Sequence, residues 1–131
     1  MSISERATAG IVPKPEPKAV SFGRIVTDGE IGKALDFLRD SAHGIGEAKA
    51  RLIKAGHMVK HVEALLLLSS EERSIEAKKA AARISQKWID ATNEEAEAAG
   101  EFEKLKALRE AADAKIEAWR TESSNYRGMK V

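Results

Sequence analysis

Apolar residues recur with a seven-residue rhythm through the first half of the helical part of this chain. Ile31, Leu38, Ile45, Leu52, Val59 and Leu66 stand seven apart, and Ala34, Ser41, Ala48, Ala55 and Val62 follow the first five of them by three. Alternating steps of three and four hold residues on one side of an α-helix. The stretch therefore predicts a helical seam with large residues in one row and small ones in the other. Thr27-Asp28-Gly29-Glu30 supplies a start, with Asp28 expected to accept from free amides and Glu30 to favour the positive end of the helix dipole. Gly44 and Gly46 each cost up to about 1 kcal/mol in a helix interior relative to Ala. A short helix over 28–42 and a longer one from 45 are expected, with His43 as a capping cation and His43-Gly44 as the stop.

Past the leucine run, Ser69-Ser70-Glu71-Glu72 reads as a capping box, Ser69 to Glu72, or as a mild bend. From Ile75 the seam moves to Ala77, Ala81, Ile84, Trp88, Ala91 and Ala98, broken at Glu95. It ends in Phe102, Leu105, Leu108, Ala112, Ile116, Trp119 and Tyr126. Gly100 lies in an acidic run and is the weakest point of this half. A turn there folds helix 70–98 back on 102–126 and brings Trp88 and Trp119 into one bundle; without it the segment is a rod that needs partner chains. No stretch alternates with period two, so strands are not expected. The expected fold is all-α: long helices in a hairpin or bundle with coiled-coil-like seams. It is expected to self-associate through Ile31, Leu38, Ile45, Leu52, Val59, Val62, Leu66, Ile84, Trp88, Ile116 and Trp119. Residues 1–26 contain Pro13, Pro15 and Pro17 and show no helical period. They read as a flexible arm with Phe22 and Ile25 as candidate anchors, ahead of a helical domain over 27–131.

Composition sharpens this picture. A chain of 131 residues suits a single domain, and Ala, Glu, Lys, Leu and Arg supply 69 of those residues, a share typical of long helices. Aromatics are only 5 %, which predicts a thin, elongated core sealed by small side chains. The absence of cysteine excludes disulfides, thiolate nucleophiles and Cys-ligated metals. Apolar runs are far shorter than the eighteen or so residues that a membrane span needs, and the N-terminus lacks the apolar core of a secretory signal. A soluble cytoplasmic protein without membrane contact is expected. The net charge of +1 conceals a basic half and an acidic half. Residues 14–87 hold 14 Lys/Arg against 10 Asp/Glu, and residues 90–117 hold 4 against 9. Such a chain can pair with itself or present its basic half to a polyanion.

Candidate chemistry is sparse. His57 and His61, four apart, share a helix face, but two imidazoles without a third ligand make a poor metal site, and solvated histidines are the plainer reading. Glu110-Ala111-Ala112-Asp113 resembles the second magnesium-binding pattern of MazG-type nucleotide pyrophosphohydrolases. Glu94-Glu95-Ala96-Glu97 departs from the first, with Ala98 where the third acid is needed. A solvated acidic face is the plainer reading, with a magnesium-dependent pyrophosphohydrolase as the alternative. No nucleophile elbow or phosphate-cradling glycine loop is present. The expectation is a non-enzyme with no cofactor and no metal. Basic residues say more: Lys49, Arg51, Lys54 and Lys60 line the polar side of the 45–68 helix, followed by Lys78, Lys79, Arg83 and Lys87. Lys79, Arg83 and Lys87, spaced by four, predict one stripe able to track phosphates. Three rings each neighbour a cation, at Lys87-Trp88, Trp119-Arg120 and Tyr126-Arg127. Adjacent helical residues point about 100° apart, so ring and cation are not expected on one surface.

The stretches Glu71–Ile84 and Phe102–Arg120 resemble small phage coiled-coil proteins encoded near recombination genes. Their layout is similar to that of UvsY-type recombination mediators, which assemble into rings, bind single-stranded DNA and help load a recombinase. The resemblance implies a self-assembling accessory protein in the host-cell cytoplasm, with single-stranded DNA and a recombinase or other protein as partners. A helical scaffold or inhibitor acting by protein–protein binding is the alternative of another class.

Overall fold

The computed structural model describes residues 25–129, which contain three α-helices and no strand. Helix α1 spans Asp28–Ser69, α2 spans Ile75–Arg83 and α3 spans Gln86–Met129. At 1.5 Å per residue the two long helices are each roughly 65 Å in length. They pack along one another as an antiparallel hairpin, with α2 in the connection. Three contacts spread along the hairpin set the direction. Trp119 Nε1 donates to Asp28 (3.0 Å), Arg109 donates to the Leu38 carbonyl (2.8 Å), and Arg51 pairs with Glu94 (2.6 Å). The all-α hairpin of long helices expected from the sequence is the fold adopted. No helix of the described residues is long and apolar enough to cross a membrane.

Local chemistry explains the helix ends, and several differ from expectation. Thr27, not Asp28, caps α1: its extended backbone lets Oγ1 accept from the Glu30 amide (3.2 Å). Asp28 is thereby left to receive Trp119. The chain ahead of α1 is tied down by buried Val26 and by the Ile25 amide, which donates to Glu122 (3.0 Å). The Ile25 side chain, expected as an anchor, is exposed. Phe22 and the arm up to residue 24 lie outside the described residues.

Gly44 and Gly46 do not divide α1, and Gly100 does not turn α3. Ending a helix leaves four backbone groups without intrahelical partners at each new terminus, whereas a glycine costs only about 1 kcal/mol. Continuous packing between the long helices tips the balance further. Gly44 is half-buried, with Leu105 Cδ2 3.7 Å from where its Cβ would sit. His43, expected at a helix end, sits in mid-helix and hydrogen-bonds Glu47 (2.9 Å). A Cβ at Gly46 or Gly100 meets nothing within 4 Å. Gly46→Ala and Gly100→Ala are therefore each expected to stabilise the protein by about 1 kcal/mol in denaturant unfolding. A loss of stability would show that the helices are not continuous at these points.

The chain reverses through residues 70–74 and 84–85. Ser69 is the last residue of α1 and donates to the Leu66 carbonyl, while Ser70 Oγ accepts from the Glu72 amide. Ser74, not Ser69, caps the next helix by accepting from the Ala77 amide (3.0 Å). Trp88 and Trp119 therefore share α3, about 46 Å apart along its axis, and do not meet in a bundle. Their indoles also differ: Trp119 Nε1 reaches Asp28, but Trp88 Nε1 is buried with no hydrogen-bond partner among the described residues. Trp119→Phe should consequently cost about 1 kcal/mol more than Trp88→Phe in thermal unfolding, and equal costs would contradict the Asp28 contact.

Every α1 seam residue from Ile31 to Leu66 is buried or half-buried. Of the residues expected to join copies, Ile31 is buried within the single chain, Leu38, Ile45, Leu52, Val59, Val62, Leu66, Trp88, Ile116 and Trp119 are half-buried there, and Ile84 is exposed. The buried residues are small: six of the eight are Ala34, Ala55, Ala82, Ala91, Ala98 and Ala112. On α3 the half-buried seam position falls on Arg109, not on Leu108, which is 48 % exposed. Arg109 donates both to the Leu38 carbonyl and to Ser41 Oγ (2.7 Å), and Ser41 in turn donates to the Phe37 carbonyl. Glu95 is the second charged side chain in the seam. Gly56 makes room for it, since a Cβ there would lie 2.9 Å from Glu95 Oε2.

Candidate nucleic-acid interface

The basic residues divide into cations that hold the hairpin together and cations that face solvent. Lys49 lies over the Phe102 ring, 4.8 Å from its centroid. Arg51 spans the two helices and binds Glu94 (2.6 Å) and Glu101. Hydrogen bonds to Glu94 and then to Glu101 hold the guanidinium pKa above its ordinary value. In contrast, Lys54, Lys60, Lys79, Arg83 and Lys87 are exposed and make no ion pair among the described residues; Lys78 is half-buried. The four candidate cations of α1, Lys49, Arg51, Lys54 and Lys60, do not share one side. Lys49 and Lys60, eleven residues apart, fall on one flank, and Arg51 and Lys54 fall on the other.

The expected stripe of Lys79, Arg83 and Lys87 is broken. Ile84 ends α2 and Ser85 bends the chain, so Lys79 and Arg83 sit one turn apart on α2 while Lys87 opens α3. All three nevertheless gather at the connection. Large aliphatic side chains at the helix ends of the same connection are open to water: Leu68 is 84 % exposed, Ile84 80 % and Ile75 63 %. The connection thus combines free cations with open apolar surface.

A second surface was not legible from spacing. Trp119, Arg120, Ser123, Tyr126 and Arg127 line one open hollow on the last turns of α3. Residues seven apart stack into rows, and the Trp119–Tyr126 and Arg120–Arg127 rows border the same hollow, so ring and cation do share a surface. The inter-helix Lys49–Phe102 contact was equally hidden, because it joins residues distant in sequence.

The other candidates do not converge. His57 and His61 are exposed, and no group of three or more His, Asp or Glu among the described residues is placed to hold a metal ion. Glu94 and Glu110 lie on the same straight helix, roughly 24 Å apart, too far to share one magnesium ion, and Glu94 is engaged by Arg51. Fold and surface define an extended α-helical hairpin with a basic, apolar-studded connection. No family model, curated protein or solved structure matches the chain.

Proposed function

We propose that this chain is a non-enzymatic, self-associating helical protein that binds single-stranded nucleic acid, as an accessory to recombination. The observation that carries the reading is the set of cations without ion pairs at the connection, Lys79, Arg83 and Lys87, in a segment where Leu68, Ile75 and Ile84 are exposed. A single strand offers phosphates to the cations and unstacked base faces to apolar side chains, whereas a duplex offers only phosphates and groove edges. The hollow bordered by Trp119, Tyr126, Arg120 and Arg127 is of the same chemical type and adds a stacking platform. Titrating a labelled single-stranded oligonucleotide at several salt concentrations tests the reading. Salt-sensitive binding that exceeds binding to duplex of equal length is the expected result, and absent or salt-insensitive binding overturns it.

One observation favours a second reading. The exposed apolar residues at the connection are aliphatic, not aromatic, and aliphatic ridges bordered by cations also suit an acidic amphipathic helix of another protein. A scaffold or inhibitor of that kind would bind such a peptide and leave oligonucleotide unshifted.

A further inference from the structure

We propose that Phe22, three residues ahead of Ile25, seats its ring in the hollow of Trp119, Ser123 and Tyr126, so that the segment 22–24 clasps the last turns of α3. The way the chain enters the hairpin carries the proposal. The Ile25 amide donates to Glu122 Oε1 (3.0 Å) and Val26 is buried, so the main chain arrives at α3 on the turn of Glu122. Glu122 follows Trp119 by three residues and precedes Tyr126 by four, which places all three on one face of α3. The hollow bordered by Trp119, Arg120, Ser123, Tyr126 and Arg127 therefore opens beside the point of entry. Three residues of chain reach ~10 Å at most, and the hollow runs along roughly 10 Å of α3, so position 22 is held within its length.

Two atoms at the same place call for the incoming chain. Glu122 Oε2 and Ser123 Oγ are both buried without a hydrogen-bond partner among the described residues. Buried polar atoms in folded proteins are almost always paired. The next donors along the chain from Ile25 are the Arg24 and Gly23 amides and the Arg24 guanidinium, whose charge suits a carboxylate. Backbone drawn in to satisfy these atoms brings Phe22 with it, and glycine at 23 lets the main chain approach closely. The hollow measures about 430 Å³. A cavity of ~150 Å³ already admits benzene, so a phenyl ring fits with space for its flanking backbone. Trp119 and Tyr126 supply ring faces and edges to receive it. Tethering decides the occupant: a side chain three residues from a fixed point stands at an effective concentration on the order of millimolar, ahead of a dilute free partner.

The seat does not rest on nucleic-acid binding. It is tested in the full chain carrying Trp88→Phe, in which Trp119 is the sole tryptophan. Phe22→Ala should move the Trp119 emission to the red and raise its quenching by acrylamide at unchanged helicity, while Phe22→Leu should keep most of the original signal. Limited trypsin digestion gives a second readout. The bond after Arg24 should be cut more slowly than the bond after Lys18, and Phe22→Ala should bring the two rates together. Emission and quenching indifferent to Phe22→Ala, or a bond after Arg24 cut as fast as that after Lys18 in the unaltered chain, overturns the proposal. A Trp119 signal that depends on protein concentration does so too, because it gives the hollow to a second copy. Oligonucleotide separates this proposal from the nucleic-acid reading, since a base and Phe22 cannot fill the hollow together. Tighter binding by Phe22→Ala upholds both; a changed Trp119 signal with unchanged affinity upholds the seat and removes the hollow from the nucleic-acid surface.

Discussion

Replacing Lys79, Arg83 and Lys87 together by glutamate is expected to abolish binding to single-stranded oligonucleotide while leaving the helix content unchanged. The three side chains are exposed and join no ion pair among the described residues, so removing them takes nothing from the hairpin. For a strand held by about five phosphate contacts, the binding constant falls roughly 100-fold between 50 and 200 mM salt, from a logarithmic slope near −0.7 per contact. Loss of three contacts should flatten the slope by about 2, and reversal adds repulsion that suppresses what remains. Arg51→Glu is the informative contrast. Its guanidinium is already committed to Glu94 and Glu101, so this substitution should disturb the hairpin more than the slope. A triple variant with unaltered affinity and salt slope would remove the connection from the binding surface.

Enlarging Ala98 to leucine should produce the largest loss of stability among conservative changes. Ala98 is 1 % exposed, the most deeply buried of the core residues, in a seam closed by alanines where the helices leave little space. Extra carbon atoms at such a site force the helices apart or push side chains off their rotamers, at about 1–3 kcal/mol. Ala96→Leu, two residues earlier and exposed, serves as the control and should change stability by less than about 0.5 kcal/mol. Urea unfolding followed by circular dichroism reads both. Equal stability of the two variants would mean that the alanine seam is not closed in solution.

Much of the fold was legible because the seven-residue rhythm is a direct consequence of helix geometry. The rows from Ile31 to Leu66 and from Ala34 to Val62 do lie against another helix, and the composition announced a core without large sealed side chains. The ends of the helices were harder to read. Gly44, Gly46 and Gly100 looked like breaks because local propensity is visible in a sequence, whereas the packing that outweighs it joins residues such as Gly44 and Leu105. Leu108 looked like a seam residue because it is apolar, yet the register falls on Arg109, whose partners are a backbone carbonyl and a serine 71 and 68 positions away. At the candidate interface, residue types were readable and their arrangement was not. One bend at Ser85 divides the stripe of Lys79, Arg83 and Lys87, and pairing across the hairpin withdraws Lys49 and Arg51.

The charged residues within the seam bear on how the two long helices find their alignment. A seam of repeating heptads is nearly indifferent to sliding by one repeat, since apolar rows would still meet apolar rows. Arg109 seated on Ser41, Glu95 facing the gap at Gly56 and Arg51 held by two carboxylates remove that indifference. A slip of seven residues would move Arg109 from Ser41 to Ala34 or Ala48, set Glu95 against a residue that has a Cβ in place of Gly56, and leave Arg51 one carboxylate instead of two. The hairpin therefore has a single favoured alignment, held by the few side chains that depart from its own repeat.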